Sequence, residues 1–521
     1  VKATAPNREK ETAILLDQKN AVVFKQSIGA QEMARKGVSD VEEGLTKITG
    51  ITKVESRGLF VRGLEERYSN LLINELQAPS NSPFTKIIPL DLFPTDIVGV
   101  LNVYKTFNPN ISGDFAGATV NIETVQAKSI TKLSIGTSFT TDNNGSDFLI
   151  HSDANNTQGF FGLNGRDRQL SPLYGNVPAS KVLTPDEYNA TYKNNTWNVD
   201  KTSSPLNTSI GLIHSEKFNL DNGDKINYTF SINGDNKFII RKGVDRTFIL
   251  GGGDYDNNFQ KESYSYQTNA SALAAVNYKA KRFDVALNSF YLRSTDSKII
   301  DQLGYTNNQS SNPNILIRTN QFDQSDYLNT QLIGNIKLTS DEKHTLKFGG
   351  SFVKTGYEQP DRKFIIGEKV SPTEIETRYG GNHLNKQYLD INGNYYFSGL
   401  LEYNYKFDEK ENGKSNRLTV GYNVFENDLK STYRTFASRG LNKSYVAPIN
   451  SINSLIVDDI NNGIIFEREE SNTDYKNKLN QIVNSGYINY LHNFNEKIEI
   501  NAGIRIESSI RTSKYRNQGA T

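Results

Sequence analysis

The sequence predicts a membrane all-β protein in which an N-terminal α+β plug domain sits inside a large antiparallel transmembrane β-barrel. Three observations predict it. From about Ile130 onward, segments of roughly ten residues alternate apolar and polar side chains, as strands do when one face meets lipid and the other a polar lumen. The connections between those segments alternate between short and long. Ahead of them, residues 20–128 consist of short apolar runs punctuated by Gly, Pro, Asn and Asp, the texture of a small mixed sheet with tight turns.

Composition fits that class and excludes others. The chain has 521 residues, 36% of them hydrophobic, with a mean hydropathy of −0.58. No apolar run approaches the roughly 18 residues that a spanning helix needs. A barrel spreads its apolar residues one in two and so scores as polar. Tyr and Phe number 27 each against one Trp, a balance suited to interfacial girdles and surface loops. With 59 basic and 58 acidic residues, the chain lacks the footprint of a nucleic-acid binder. The absence of cysteine removes disulfides, thiolate metal sites and cysteine nucleophiles together. No charged n-region with an apolar h-region stands at Val1, so any signal peptide is expected to have been removed or to lie outside this sequence.

Taken in order, residues 1–19 are polar apart from Ala13–Leu16 and read as a flexible lead-in. Val22–Ser27 reads as the first plug strand. Gln31–Lys36 and Val41–Ile48 read as short helices, the second opened by a capping box of Ser39 with Glu42 and stopped by Gly50. Leu71–Ile73, Val100–Tyr104 and Ala118–Ile122 are the clearest plug strands. Arg62, between Val61 and Gly63 in an apolar run, is expected to lie partly buried inside the barrel. An unpaired guanidinium there costs several kcal/mol, so it calls for carboxylate partners.

The barrel, residues 129–521, follows. Leu133, Ile135 and Phe139 oppose Lys132, Ser134, Gly136 and Ser138; Tyr228, Phe230 and Ile232 oppose Thr229, Ser231 and Asn233. Phe283, Val285, Leu287 and Tyr291 share a face, with Phe290 breaking the polar side. Leu346, Phe348 and Phe352 line the next segment. Tyr395, Phe397, Leu401, Tyr403 and Tyr405 oppose Ser398, Glu402 and Asn404. Ile498, Ile500, Ala502, Ile504 and Ile506 oppose Glu499, Asn501, Gly503, Arg505 and Glu507. Short turns fall near Asn219–Asp224, Lys279–Lys281, Ser340–Lys343, Glu409–Asn416 and Asn493–Glu496. Long Asn/Gly/Ser/Asp-rich stretches at about 141–206, 235–270, 295–327, 356–393 and 428–479 read as extracellular loops that form a surface lid. The count comes to about eleven strands, an odd number where single-chain barrels close with an even one, so the segment is expected to be part of a larger barrel.

Chemical constellations are thin. His151, His214, His344, His383 and His492 are scattered and read as strand or surface residues. No nucleophile elbow, zinc-protease helix or phosphate loop occurs. Gly251-Gly252-Gly253 reads as a loop hinge. Asp254, Asp256, Asn257 and Asn258, like Asp142, Asn143, Asn144 and Asp147, are oxygen-rich clusters that read as solvated loop residues rather than Ca²⁺ ligands. Tyr174, Tyr188, Tyr192, Tyr255, Tyr379 and Tyr388 are loop tyrosines suited either to contacting a ligand or to packing loops.

Several motifs in residues 20–125 stand together in one order: Arg62-Gly63-Leu64, Arg67-Tyr68, Pro89-Leu90-Asp91-Leu92-Phe93-Pro94, Val103-Tyr104-Lys105-Thr106 and Ser112-Gly113-Asp114-Phe115-Ala116-Gly117. Together they resemble the plug of TonB-dependent outer-membrane receptors. The resemblance implies a barrel of about 22 strands, of which about eleven are present here. It also implies that Arg62 and Gly63 meet barrel-wall glutamates, for which Glu402 and Glu507 are the candidates. Arg67, Tyr68, Asp91, Pro94, Lys105, Gly113, Asp114 and Gly117 are carried over as plug-motif residues. The implied function is not enzymatic. It is the import of an extracellular ligand across the Gram-negative outer membrane, driven through a TonB-type periplasmic transducer and its inner-membrane motor, without a cofactor. Outer-membrane lipids are implied partners, as is a surface lipoprotein or larger complex. Residues 1–19 show no legible transducer-gripping segment, which motivates an alternative reading as an accessory subunit of an outer-membrane secretion or assembly complex.

Overall fold

The structure, a computed structural model, describes residues 11–515 apart from 22, 55–57, 81, 83, 126–128, 250–254, 307–309, 381–382, 410–414, 442–443, 472–475 and 496–497. The glycine triplet and Asp254 therefore lie outside the described residues, as does Val22 of the expected first strand.

The described residues open with helix α1 (Glu11–Asn20), within the stretch expected as a flexible lead-in. It is held because Ala13 and Ile14 are buried and Gln18 Nε2 donates to the Ser27 carbonyl at 2.8 Å. Strand β1 (Lys25–Gly29) and helices α2 (Ala30–Arg35) and α3 (Val41–Thr46) follow. The cap of α3 sits one residue later than the sequence suggested. Asp40 Oδ1 accepts from Glu43 N at 2.8 Å, and Ser39 N donates to Glu43 Oε2 at 3.1 Å. Asp serves as well as Ser at this position, and starting one residue later puts Val41 and Leu45 into the core.

A three-stranded meander comprises β2 (Ile51–Val54), β3 (Gly58–Val61) and β4 (Leu64–Glu65). The hairpin β5 (Asn70–Ile73)–β6 (Leu76–Gln77) then joins β7 (Val98–Tyr104) and β8 (Thr119–Thr124) in a sheet ordered β1-β7-β8-β5-β6. β7 reads VGVLNVY and is buried at every position but the last, because helices α2 and α3 pack on it and β1 and β8 flank it. Its one polar rung, Asn102, is satisfied by Ser27 and Glu123.

The wall begins with β9 (Ile130–Ser138). A lobe then intervenes, built on β10 (Asp147–His151), α4 (Thr157–Phe160), α5 (Pro185–Thr191) and β11 (Val199–Ser203). The wall resumes with β12 (Asn207–Asn219), β13 (Lys225–Phe248), β14 (Tyr255–Lys279), β15 (Phe283–Thr306), β16 (Ser310–Lys337) and β17 (His344–Lys369). After the short β18 (Glu374–Arg378) come β19 (Leu384–Phe407) and β20 (Asn416–Gly440). β21 (Ser444–Pro448), α6 (Asn453–Asn461) and β22 (Ile465–Glu469) extend the lobe, and β23 (Lys476–Asn493) and β24 (Glu499–Lys514) close the series. Eleven strands pair antiparallel in the order β24-β23-β20-β19-β17-β16-β15-β14-β13-β12-β9, with β9 and β24 at the edges of the described sheet.

Most of the stretches expected as loops prove to be strand. β13 to β17, β19 and β20 each run 24–28 residues, well beyond the roughly 9–11 that cross a bilayer. Beyond the band polar residues occur on both faces and the apolar ones, such as Phe238, Ile299 and Phe322, are not regularly spaced, so the apolar–polar alternation that betrays a strand disappears while the ladder continues.

Faces are set by parity. Leu133, Leu212, Ile232, Val276, Leu287, Leu332, Phe352, Phe397, Leu401, Tyr422, Ile488 and Ile504 all point outward and form one exposed apolar band across the wall. Near the short turns the band ends in packed rings, Phe218–Tyr228 and Tyr405–Phe407–Tyr490 stacked and Tyr278–Phe283 tilted, the arrangement of an interfacial girdle. No described helix is long and apolar enough to cross a membrane.

The lobe is not a lid over the mouth. Phe238, Ile299 and Phe322 have the outward parity of the band residues Ile232, Leu287 and Leu332 on the same unbroken strands. The lobe packs on these three, with Phe148 against Phe238 and Arg168 over Phe322. Tyr174, Tyr188, Tyr379 and Tyr388 are buried in its core, and Tyr192 packs against that core. They pack the lobe, while Tyr255 stacks on Phe248 at a strand tip.

Candidate functional site

The inner face of the wall carries the plug. Leu273, Phe290, Leu292, Tyr327, Val353 and Tyr396 share one apolar cluster with the plug core, and the Phe93 and Phe290 rings stand 6.2 Å apart. Around that contact the attachments are polar. The β5–β6 hairpin turns through Asn74 and Glu75, both left-handed at φ 52° and 67°, the geometry of a type I′ turn that Asn favours. Its tip reaches the wall. Asn74 Nδ2 donates to Gln331 Oε1 at 2.8 Å, Gln331 Nε2 donates to the Ile73 carbonyl at 3.0 Å, and Lys347 pairs with Glu75. Gln77 N donates to Ser398 Oγ at 3.1 Å. Sequence reasoning missed this anchor; the only signal was a polar Asn-Glu pair between Leu72-Ile73 and Leu76.

A second set of attachments joins residues 109–112 to β19, β23 and β24. Glu402 accepts from Asn110 Nδ2 at 3.2 Å, from Tyr487 OH at 2.7 Å and from Asn404 Nδ2 at 2.8 Å. Glu507 accepts from Ser112 Oγ at 2.9 Å and from Arg505 Nε at 2.7 Å, while Arg505 also donates to the Pro109 carbonyl at 3.1 Å. Both glutamates thus meet the plug, but not through Arg62. Arg62 sits in the β3–β4 turn at φ 53° with an exposed side chain, and its guanidinium donates to the Lys105 carbonyl at 3.1 Å. The turn consumes the residue: Gly63 beside it is also left-handed and exposed, so the apolar run ends at Val61 and the arginine caps a loop within the plug.

Other motif residues also act within the plug. Lys105 is buried, and its Nζ donates to Gln26 Oε1 and the Thr49 carbonyl, tying β1 to the α3–β2 connection. Burial, with Arg62 nearby, holds its pKa below the usual lysine range. Asp114 accepts from Asn70 Nδ2 at 2.5 Å and pairs with Lys86 at 3.7 Å. Gly117 leaves no room for a Cβ beside Ser69 Oγ, and its N–H donates to the Tyr68 carbonyl at 2.9 Å. Gly113 packs beside Phe107, Pro94 bridges to Asp40, and Arg67 pairs with Glu65 at 3.0 Å on the surface. Asp91 is the plug's strained acid. Burial pushes its carboxyl up to about 6, opposed by Lys237 of the wall.

Above the plug the inner face is a polar wall. Asp296 accepts from Ser265 Oγ at 2.6 Å and Gln267 Nε2 at 3.0 Å; Asp323 accepts from Gln321, Tyr357 and Gln359 at 2.6, 3.1 and 2.8 Å. Lys298 bridges the two acids at 2.6 and 3.6 Å. The exposed Phe84 of the plug apex stands edge-on to Tyr357, with centroids 5.9 Å apart. No group of three or more His, Asp or Glu side chains placed to hold a metal occurs among the described residues.

No family model matches the sequence, and no curated protein matches it. Solved structures do. The P. aeruginosa protein FpvA, in its complex with an iron-bound pyoverdine, superposes at a TM-score of 0.52 and 10% identity, over 95% of this chain and 53% of that one. The chain has the fold of a TonB-dependent receptor. It spans about half the length of the FpvA chain it matches. The ferric yersiniabactin uptake receptor FyuA of Yersinia pestis and the ferric citrate transporter FecA match at TM-scores of 0.43 and 0.37, each at 10% identity. These matches cover 95% and 96% of this chain and 70% and 76% of theirs. Within that fold, the five-stranded sheet lies between Lys25 and Thr124, and the eleven paired strands begin at Ile130.

Proposed function

We propose that this chain is the plug and part of the wall of an outer-membrane importer, in which an extracellular ligand settles on the inner face above the plug. A TonB-type transducer then pulls the plug aside. The observation that carries this reading is the folded unit packed on one face of a curved sheet whose opposite face bears an unbroken apolar band. Beside its apolar contact, the plug is held by separate, partly wet hydrogen bonds at Asn74, Asn110 and Ser112, which can be broken a few at a time, each worth about 1 kcal/mol. The inner face offers carboxylates, amides, a lysine and two aromatic rings for a polar, ring-bearing ligand. Ferric chelates are the first class to test, because the FpvA structure holds one.

The test is a tether. With no native cysteine, the paired variant Asn110→Cys with Glu402→Cys can be joined by a short bis-methanethiosulfonate linker, since the ends of the native side chains meet at 3.2 Å. Linked protein is expected to bind ligand but not import it, and reduction, which cleaves the linker, is expected to restore uptake. Undiminished import by the linked form would defeat the proposal.

A further inference from the structure

Lys363 of the wall is buried against the lobe with a carboxamide and a carboxyl at its tip. Its strand, β17, carries a bulge between Gln359 and Arg362, within which Asp361 stands left-handed at φ 58°. Before the bulge the odd-numbered residues face inward: Val353 packs on the plug core, and Tyr357 and Gln359 reach Asp323. The extra residue reverses that parity, as a bulge does when it re-aims a side chain. Lys363 therefore stands opposite Asn320, whose Nδ2 donates to the Trp197 carbonyl of the lobe at 3.3 Å, and two places before Ile365 of the lobe core.

The Lys363 Nζ lies 2.5 Å from Asn195 Oδ1, 2.6 Å from the Thr196 carbonyl and 2.6 Å from Asp361 Oδ2. Lys363 is 1% exposed, Asp361 0% and Asn195 5%, and the centroid of the Trp197 ring is 5.9 Å from Nζ. Among the described residues no donor makes a well-aligned hydrogen bond to either Asp361 oxygen, and Arg168 Nη1 stays 3.7 Å away. The carboxyl therefore has lone pairs open to a proton. Burial, with Arg168 and Lys386 close by, holds the Lys363 amine below the usual lysine range despite Asp361 and Asp153. Lys386, under the same burial, is carried above that range by Glu467. In the plug, Lys105 also donates to an amide, Gln26 Oε1, but its charged neighbour is Arg62 rather than an acid. An enclosed amine that can shed its proton is a nucleophile, and one held against a carboxamide beside an acid is placed for acyl transfer.

We propose that Lys363 and Asn195 join in an intramolecular isopeptide bond that fastens the lobe to the wall. Asp361 takes a proton from Nζ, and the free amine bonds to Asn195 Cγ. The Cγ–Nδ2 bond breaks. The departing nitrogen takes both protons that Nζ gives up, relayed by the Asp361 carboxyl, and leaves as ammonium. Atoms and charge balance without an oxidant or co-reactant. The bond joins residues 168 positions apart and keeps the lobe on β17 when neighbouring contacts open.

The test is the intact mass of the purified, denatured full chain. The wild-type chain is expected to be lighter than its sequence by one ammonia and to yield a branched tryptic peptide joining Asn195 to Lys363. Lys363→Met and Asp361→Asn are expected at their full sequence masses; asparagine tolerates the left-handed backbone while removing the acid. Asn195→Asp is expected to reach the same bond with a deficit of one water instead. A wild-type chain at its full sequence mass overturns the proposal, whether or not the variants fold. So does an ammonia deficit that survives in Lys363→Met, which would place the loss elsewhere in the chain. Import plays no part in the readout, so failure here leaves the transport reading standing.

Discussion

On the inner face of the wall the plug, beside its apolar contact with Phe290 and its neighbours, has polar attachments through Asn74, Asn110, Ser112 and Glu75, side chains that water still reaches. On the outer face the lobe is attached through Arg168, Lys363, Lys386 and Arg434, none of them more than 7% exposed. Arg168 pairs with Asp153 and lies 3.7 Å from Asp361, which Lys363 meets at 2.6 Å. Lys386 meets Glu467 at 2.8 Å among Tyr188, Tyr192 and Trp197, and Glu467 also takes the hydroxyls of Tyr174 and Tyr192. Arg434 and Glu469 form a two-pronged pair at 2.6 Å. A buried pair adds little by itself but resists being opened, because either charge alone in that setting is costly. A partly wet pair opens cheaply. The same sheet therefore carries one attachment fitted to permanence and another fitted to release.

Three variants sharpen or break that contrast. Lys386→Met leaves Glu467 charged and buried and is expected to destabilise the lobe by about 3–5 kcal/mol, read as faster proteolysis of residues 147–203 in detergent. If it has no effect, the outer attachment is not what distinguishes the lobe. Asp91→Asn acts on the plug. Its carboxyl pKa rises from 3.8 to about 6 on folding, so it favours the folded plug below about pH 4 and loses that contribution as pH climbs through 6. The asparagine variant is expected to abolish this dependence and to stabilise the plug at pH 7.5 by at most about 3 kcal/mol, measured by amide exchange at the two pH values. Smallest is Glu75→Gln, which removes the partly exposed pair with Lys347 and should cost about 0.5 kcal/mol by the same measurement. A cost there as large as that of Lys386→Met would erase the difference between the two faces.

How much was legible follows from the solvent each segment faces. The band was readable because lipid on one side and plug or water on the other impose strict alternation, from Leu133 to Ile506. The placement of Glu402 and Glu507 on the inner side followed from the same parity. The extensions of β13 to β17, β19 and β20 were read as loops because Asn, Ser, Thr and Asp are frequent there and the apolar residues that the lobe covers, such as Phe238 and Phe322, are not regularly spaced. Arg62 misled because Val61-Arg62-Gly63 reads as strand, whereas two consecutive left-handed residues make it a turn. The side of the sheet on which the lobe packs was beyond the sequence, since it depends on parity carried unbroken along strands whose length was itself hidden.

That length has a consequence of its own. Twenty-four residues of strand measure about 80 Å end to end, far more than the bilayer absorbs even at a steep tilt. The surplus continues the ladder well past the apolar band, as a laddered turret. A protease arriving at that end meets backbone already committed to neighbouring strands.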